Sequence, residues 1–186
     1  MKIFILSILT VLAITSYDVI AQNRLFTRSG KIIFFSKAPL EDIKAINNQV
    51  SCIYDIESNR IIASVLINAF EFEKALMQKH FNENYLETEK FPKATFKGKI
   101  LDHDQIDFKS NWIKNVEFEG DLTIHGVTKN IKNQAHLTMK NGTLNVSSVF
   151  YVLLKDYEIK IPSTVINNVS EKVKVEVNFI MNVLKN

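Results

Sequence analysis

In "VEFEGDLTI", residues 116–124, the apolar side chains Val116, Phe118, Leu122 and Ile124 share one parity and Glu117, Glu119, Asp121 and Thr123 the other. Successive residues of a strand point to opposite faces, so this period of two demands a strand with one dry and one wet face. "KVKVEVNFIMNV" repeats the device with Val173, Val175, Val177, Phe179, Met181 and Val183. Further strand candidates are "RLFTR", "KIIFFSK", "QVSCIYDIES", "RIIASVLINAF", "KATFKGKIL", "KNIKNQAHLTMK" and "TLNVSSVFYVLL". Turn signals separate several of them: Ser29-Gly30, Ser58-Asn59, His125-Gly126 and the tight-hairpin dipeptide Asn141-Gly142. Sequential hairpins give an antiparallel meander, and a long meander with one apolar side closes on itself. The expected fold is therefore all-β, an antiparallel barrel of about eight strands.

Two stretches break the alternation. "LEDIKAI", with its acids ahead of its lysine, reads as a short helix in the sense the helix dipole favours. "EFEKALMQKHFNENYLET" sets Phe72, Leu76 and Met77 at helical spacing and predicts a helix lying across an opening or edge of the sheet. No repeat, low-complexity tract or Pro/Gly-rich linker divides the chain.

The first residues, "MKIFILSILTVLAITSYDVIAQ", place one lysine before an apolar run that ends in small residues. That pattern reads as a secretory signal peptide over residues 1–21, cleaved after Ala21. Asp18 interrupts the run before the ~20 apolar residues that a membrane span needs. Residues 22–186 then form one domain, in the periplasm or outside the cell. A net charge of +3, spread over single lysines, is not the footprint of a nucleic-acid binder, although it suits transient contact with an anionic membrane. Cys52 is the one cysteine, so no intrachain disulfide forms, and its apolar setting predicts burial. A homodimer through an exposed sheet is compatible with the sequence.

Catalytic signatures are missing from the sequence: no G-x-S-x-G, phosphate-binding loop, H-E-x-x-H or dinucleotide glycine pattern occurs. His103 sits between Asp102 and Asp104, but neighbours on a strand point apart, so a solvated loop describes "LDHDQ" better than a metal site. Glu117 and Glu119 share the wet face. His125 has no partner nearby for acid–base work and reads as a turn residue that hydrogen-bonds within its turn. A non-enzyme without catalytic residue, metal or cofactor is expected. What the chain has in quantity is apolar material, with thirteen phenylalanines, five tyrosines and one tryptophan. The dry faces of an eight-strand barrel enclose either a packed core or a cavity, and composition does not choose between them.

"FNENYLETEKFPKATFKGKI" followed by "FEGDLTIHGVTKNI" resembles the YceI-like proteins, secreted lipocalin-like barrels associated with polyisoprenoids and related amphiphilic lipids. The resemblance runs from about Ser36 to Asn182. It rests on the combination of a helix ending in "YLET", a strand opening with "FPKATF" and the "GDLTIHGVTK" hairpin. The matching positions are Phe91, Pro92 and Phe96, then Gly120, Leu122, Ile124, His125, Gly126 and Thr128. The resemblance implies a barrel whose lumen receives an isoprenoid tail. One departure is "FYVLLKDYEIKIPSTV", where family members often carry an arginine-bearing segment; here Lys155, Asp156 and Tyr157 stand instead.

The dry-face residues then give a set of expected lining positions: Leu66, Phe70, Phe72, Leu76, Phe96, Phe118, Leu122, Phe150, Val152, Val175, Val177 and Phe179. Lys155 and Tyr157 are the expected head-group contacts at the mouth. The expected function is non-catalytic binding, transport or storage of a polyisoprenoid or similar amphiphile. The competing reading is a stress-related or adhesive protein-interaction module with a filled core.

Overall fold

The computed structural model describes residues 24–108, 110–162 and 168–184; the expected leader, residues 1–21, lies outside them. Among the described residues nine strands form: β1 (Arg24–Lys37), β2 (Asp42–Asp55), β3 (Arg60–Leu66), β4 (Glu71–Phe72), β5 (Lys93–Ile100), β6 (Trp112–Ile124), β7 (Val127–Lys140), β8 (Thr143–Leu153) and β9 (Lys172–Val183). All neighbouring pairs are antiparallel, and β1 pairs with both β2 and β9. Eight strands thus close a barrel by next-neighbour pairing, as the alternation required. The two-residue β4 pairs with Ala45 and Ile46 of β2, beyond the stretch of β2 that β3 covers.

The gap between β3 and β4 is filled by Asn47, which is fully buried. Its amide donates to the Leu66 carbonyl at 2.8 Å, while its own oxygen accepts from the Gln49 N–H at 2.8 Å. A buried backbone carbonyl left without a donor is costly, and this side chain supplies the missing partner.

Two hairpins turn as read from the sequence. His125-Gly126 and Asn141-Gly142 both take φ of 51° then 78°, the positive pair of a two-residue turn matched to strand twist. On the outer face, Glu119 pairs with Lys99 at 3.1 Å and Glu117 with Lys132 at 3.0 Å, solvated bridges that add little to stability.

Three expectations need correction. "LEDIKAI" is not helical: from Asp42 it is the start of β2, because β1 offers a complete partner from Lys37↔Asp42 to Phe34↔Ala45. Ser29-Gly30 makes no turn; "RLFTR" and "KIIFFSK" are one strand, shifted in register on either side of Gly30. Gly30 is needed there because a Cβ would lie 2.5 Å from the Phe179 ring. The long helix over "EFEKALMQKHFNENYLET" is shorter than expected: α1 spans Ala75–His80 and passes into a π-helical turn, Phe81–Tyr85.

The interior falls into two apolar clusters. One, at the end of the barrel that carries the Asn141-Gly142 turn, holds Leu25, Tyr54, Leu137, Met139, Leu144 and Met181. The other, the upper cluster, lies at the α1 end and holds Ala45, Ile67, Phe70, Leu86, Leu122 and Val152 among others.

Candidate functional site

Between the clusters lies a cavity of about 150 Å³ inside the barrel, walled by side chains from all eight barrel strands. Six of the expected lining residues border it: Phe96, Phe118, Leu122, Phe150, Val177 and Phe179. Parity explains why, since each alternates inward on its own strand. Two polar groups in the wall are already engaged. The Ser148 hydroxyl donates to the Gln134 carbonyl at 2.6 Å, and the Tyr54 hydroxyl is bonded to His103 Nδ1 at 2.6 Å. Burial pushes the Cys52 thiol up to about 12 and raises the Tyr54 phenol, the latter with help from the Asp55 charge. At neutral pH the lumen therefore presents no charge and attracts hydrocarbon.

Glycine makes room for the rings. Gly98 and Gly120 face each other across β5 and β6, and the Phe96 ring lies over both. A Cβ on Gly98 would lie 2.5 Å from Phe96 Cζ and would also strike the Glu119 carbonyl oxygen. With no side chain at either glycine, the phenylalanine rests against the wall and meets Phe118 edge-on at 5.6 Å. Phe179 occupies the space over Gly30 in the same way.

A second cavity, about 160 Å³, lies at the α1 end, bordered by Phe34, Phe72, Met77, His80, Phe81 and Tyr85 among others. Phe34 stands at the centre of the ring cluster there, 5.3 Å from Phe70, 5.6 Å from Phe72 and 5.4 Å from Phe81. Ala94 and Leu122 of the upper cluster border the lumen, whereas Leu86 and Ile159 border this second space. Residues of this one cluster thus border both spaces.

The remaining expected positions divide. Phe72 borders the second cavity; Phe70, Val152 and Val175 pack in the upper cluster and border neither. Leu66 and Leu76 are corrections, 39% and 63% exposed. Ala63 and Val65 point inward from β3, so Leu66 has the outward parity, and α1 turns Met77 rather than Leu76 to the cavity. Lys155 is exposed, but Tyr157, expected at the mouth, is only 3% exposed, because the turn Leu154–Tyr157 folds it into the upper cluster. Lining residues missing from the sequence reading, such as Ile61, Val116, Ala135 and Val146, share the inward parity of their strands and could have been found by extending it.

His125 is a turn residue, yet its bonds reach outside the turn. Nδ1 lies 3.2 Å from the Tyr157 carbonyl and Nε2 2.8 Å from the Glu87 carboxylate, with the ring edge-on to Phe91 at 4.5 Å. Both oxygens are acceptors, so an imidazolium donates to both and a neutral ring to one. The residue ties the β6–β7 turn to two neighbouring segments. His103, expected in a solvated loop, is half-buried and braces Tyr54 and Phe108. Among the described residues, no group of three or more His, Cys, Asp or Glu side chains is placed to hold a metal ion.

Comparison with known proteins follows the same outline. The polyisoprenoid binding domain from Saccharophagus degradans implicated in plant cell wall breakdown superposes with a TM-score of 0.76 at 13% identity, over 88% of this chain and 99% of that one. Burkholderia cenocepacia BcnA gives 0.66 at 13% identity, over 82% and 95%. The YceI protein of Campylobacter jejuni gives 0.54 at 18%, over 75% and 84%. At such identities these likenesses establish the fold alone. No curated protein matches by sequence. The family profile described as a YceI-like domain matches residues 27–181, nearly the whole barrel, and the chain belongs to that family.

Proposed function

We propose that this protein binds the hydrocarbon tail of a polyisoprenoid or similar amphiphile in its lumen, without catalysis, and carries or stores it beyond the inner membrane. The observation that carries the reading is an uncharged, ring-lined cavity inside a closed barrel, where a filled-core interaction module would have none. The structural likeness to a polyisoprenoid binding domain supports the same chemistry. A cavity of about 150 Å³ takes a benzene-sized group, so the lumen receives the end of a tail. A longer chain reaches it by parting the apolar side chains that border both cavities, with its polar end on the α1 side, near Lys155. Each methylene buried contributes about 0.8 kcal/mol before ordering costs, which favours chain length over head-group identity.

Native mass spectrometry of the mature protein from its host, followed by organic extraction, tests this. A co-purifying isoprenoid or fatty amphiphile near one per chain or per dimer is the expected result. Repeated recovery of empty protein that also refuses added prenyl lipids would overturn it.

A further inference from the structure

The outer face of the barrel at the α1 end carries a row in which lysines alternate with aromatic rings. Reading across four strands, Lys44 of β2 faces Phe35 of β1, Phe35 faces Lys174 of β9, and Lys174 faces Tyr151 of β8. Ammonium groups sit over the rings: Lys44 and Lys174 lie 5.5 Å and 5.6 Å from the Phe35 centroid, and Lys172 lies 4.3 Å from that of Tyr151. The next row, Ile46, Ile33, Glu176 and Val149, is apolar but for one carboxylate, which pairs with Lys174 at 2.6 Å. Tyr151 and Val149 are 55% and 50% exposed. Phe35, Ile33 and Ile46 beside them are half-buried, and an apolar band of this kind on a wet barrel face calls for an occupant.

Charge indicates which one. Lysines 31, 37, 44, 172 and 174 are set on this face against Asp42, Glu71, Glu171 and Glu176, a small excess of positive charge. Rings flanked by lysines match the boundary of an anionic bilayer, where the ring enters the head-group layer and the ammonium reaches phosphate. Self-pairing of this face about a two-fold axis would instead set the lysine row against its own copy. Position agrees as well: Phe34 and Val173, which border the second cavity, are the inward neighbours of Phe35, Lys172 and Lys174.

We propose that this face of β2, β1, β9 and β8 docks the protein on an anionic membrane surface. Docking lays the wall of the α1-end cavity against the lipid that would supply or accept a tail. The inference is independent of what fills the lumen.

Flotation of the mature protein with vesicles of phosphatidylcholine, alone or mixed with phosphatidylglycerol, tests it. Binding is expected only with phosphatidylglycerol and falls as salt rises. The triple variant Lys44→Glu, Lys172→Glu, Lys174→Glu should lose at least tenfold in binding. Tyr151→Ala should lose several-fold and keep the salt dependence. The same charge change elsewhere, Lys93→Glu, Lys97→Glu, Lys129→Glu, should stay within about twofold of the parent. No flotation on the mixed vesicles overturns the proposal, as does equal loss in the two triple variants. So does a wild-type dimer, seen by sedimentation, that the Lys44/Lys172/Lys174 variant disperses, since the face would then join two copies. If the triple variant fails to fold, Tyr151→Ala decides, and unchanged flotation by it counts against docking. None of these readouts touches lipid extraction from the lumen, so failure here leaves the lumen reading standing.

Discussion

Replacing Ala135 by leucine should make the empty protein more stable and a worse lipid binder at once. Ala135 lies on β7 opposite Val116, is buried, and borders the lumen. An unfilled space of about 150 Å³ costs on the order of 3.5 kcal/mol at roughly 24 cal/mol per Å³. The substitution adds three carbons to a space that takes six, so overpacking is avoided. At about 0.8 kcal/mol per carbon, less the ordering of the leucine, the gain is about 1.5 kcal/mol, or roughly 3–6 °C in melting temperature. The same three carbons are denied to the tail, which amounts to about fifty-fold weaker uptake. Calorimetry on delipidated protein and titration with a fluorescent farnesyl or longer prenyl probe read the two effects. A lower melting temperature together with unchanged uptake would refute the reasoning, since the space would be neither vacant nor used by the tail.

Three further outcomes are expected. Gly98→Ala should cost about 2–3 kcal/mol by driving a methyl group into the Glu119 carbonyl and the Phe96 ring, whereas Gly142→Ala, strained at φ 78° but otherwise in open space, should cost about 1 kcal/mol; urea midpoints should rank them so. Asp55 accepts from the Ser58 N–H at 3.0 Å and from Arg24 Nε at 2.8 Å, which hold its carboxyl down at about 2; the stability it lends is complete above pH about 4 and is lost as pH falls toward about 2. Asp55→Asn should therefore lower stability at neutral pH and flatten that acid limb, and a parallel limb in parent and variant would count against the assignment. Finally, the Cys52 thiol, raised to about 12 by burial, should ignore a water-soluble disulfide reagent at mildly alkaline pH until the protein is unfolded, and fast reaction of the folded protein would show an open path to the lumen.

Strands were legible where one face stays apolar, as in β9 and in β6 from Val116 onward, and turns where a dipeptide needs positive φ, as at Asn141-Gly142. They were not legible where the partner decides. The first residues of β2 have charges that suit a helix, and only the pairing with β1 makes them extended. "RIIASVL" has apolar residues of both parities, so period alone does not separate Leu66 from Val65, and it is Val65 that borders the lumen. Gly30 reads as a turn from its neighbours and proves to be a seat for Phe179, a contact between residues far apart in the chain. The site was half visible for the same reason: parity along single strands reaches six lumen residues, while the burial of Tyr157 depends on a turn folding back over the barrel end.

Closure of the barrel has a consequence for how the protein comes to be. The first strand is held by its successor and by the last strand, with Phe26 opposite Asn182, so nothing can seal the structure until nearly the whole polypeptide exists. Until then the chain is at best a curled sheet with bare edges along β1 and β8 and an uncovered hydrocarbon interior, the state most open to strand addition by other chains. The loss of entropy on joining distant ends grows only with the logarithm of their separation, but it must be met before the final pairing returns any energy, which makes folding slow. A chain lacking its last dozen residues would therefore not be a slightly weakened barrel; it would be an aggregating one.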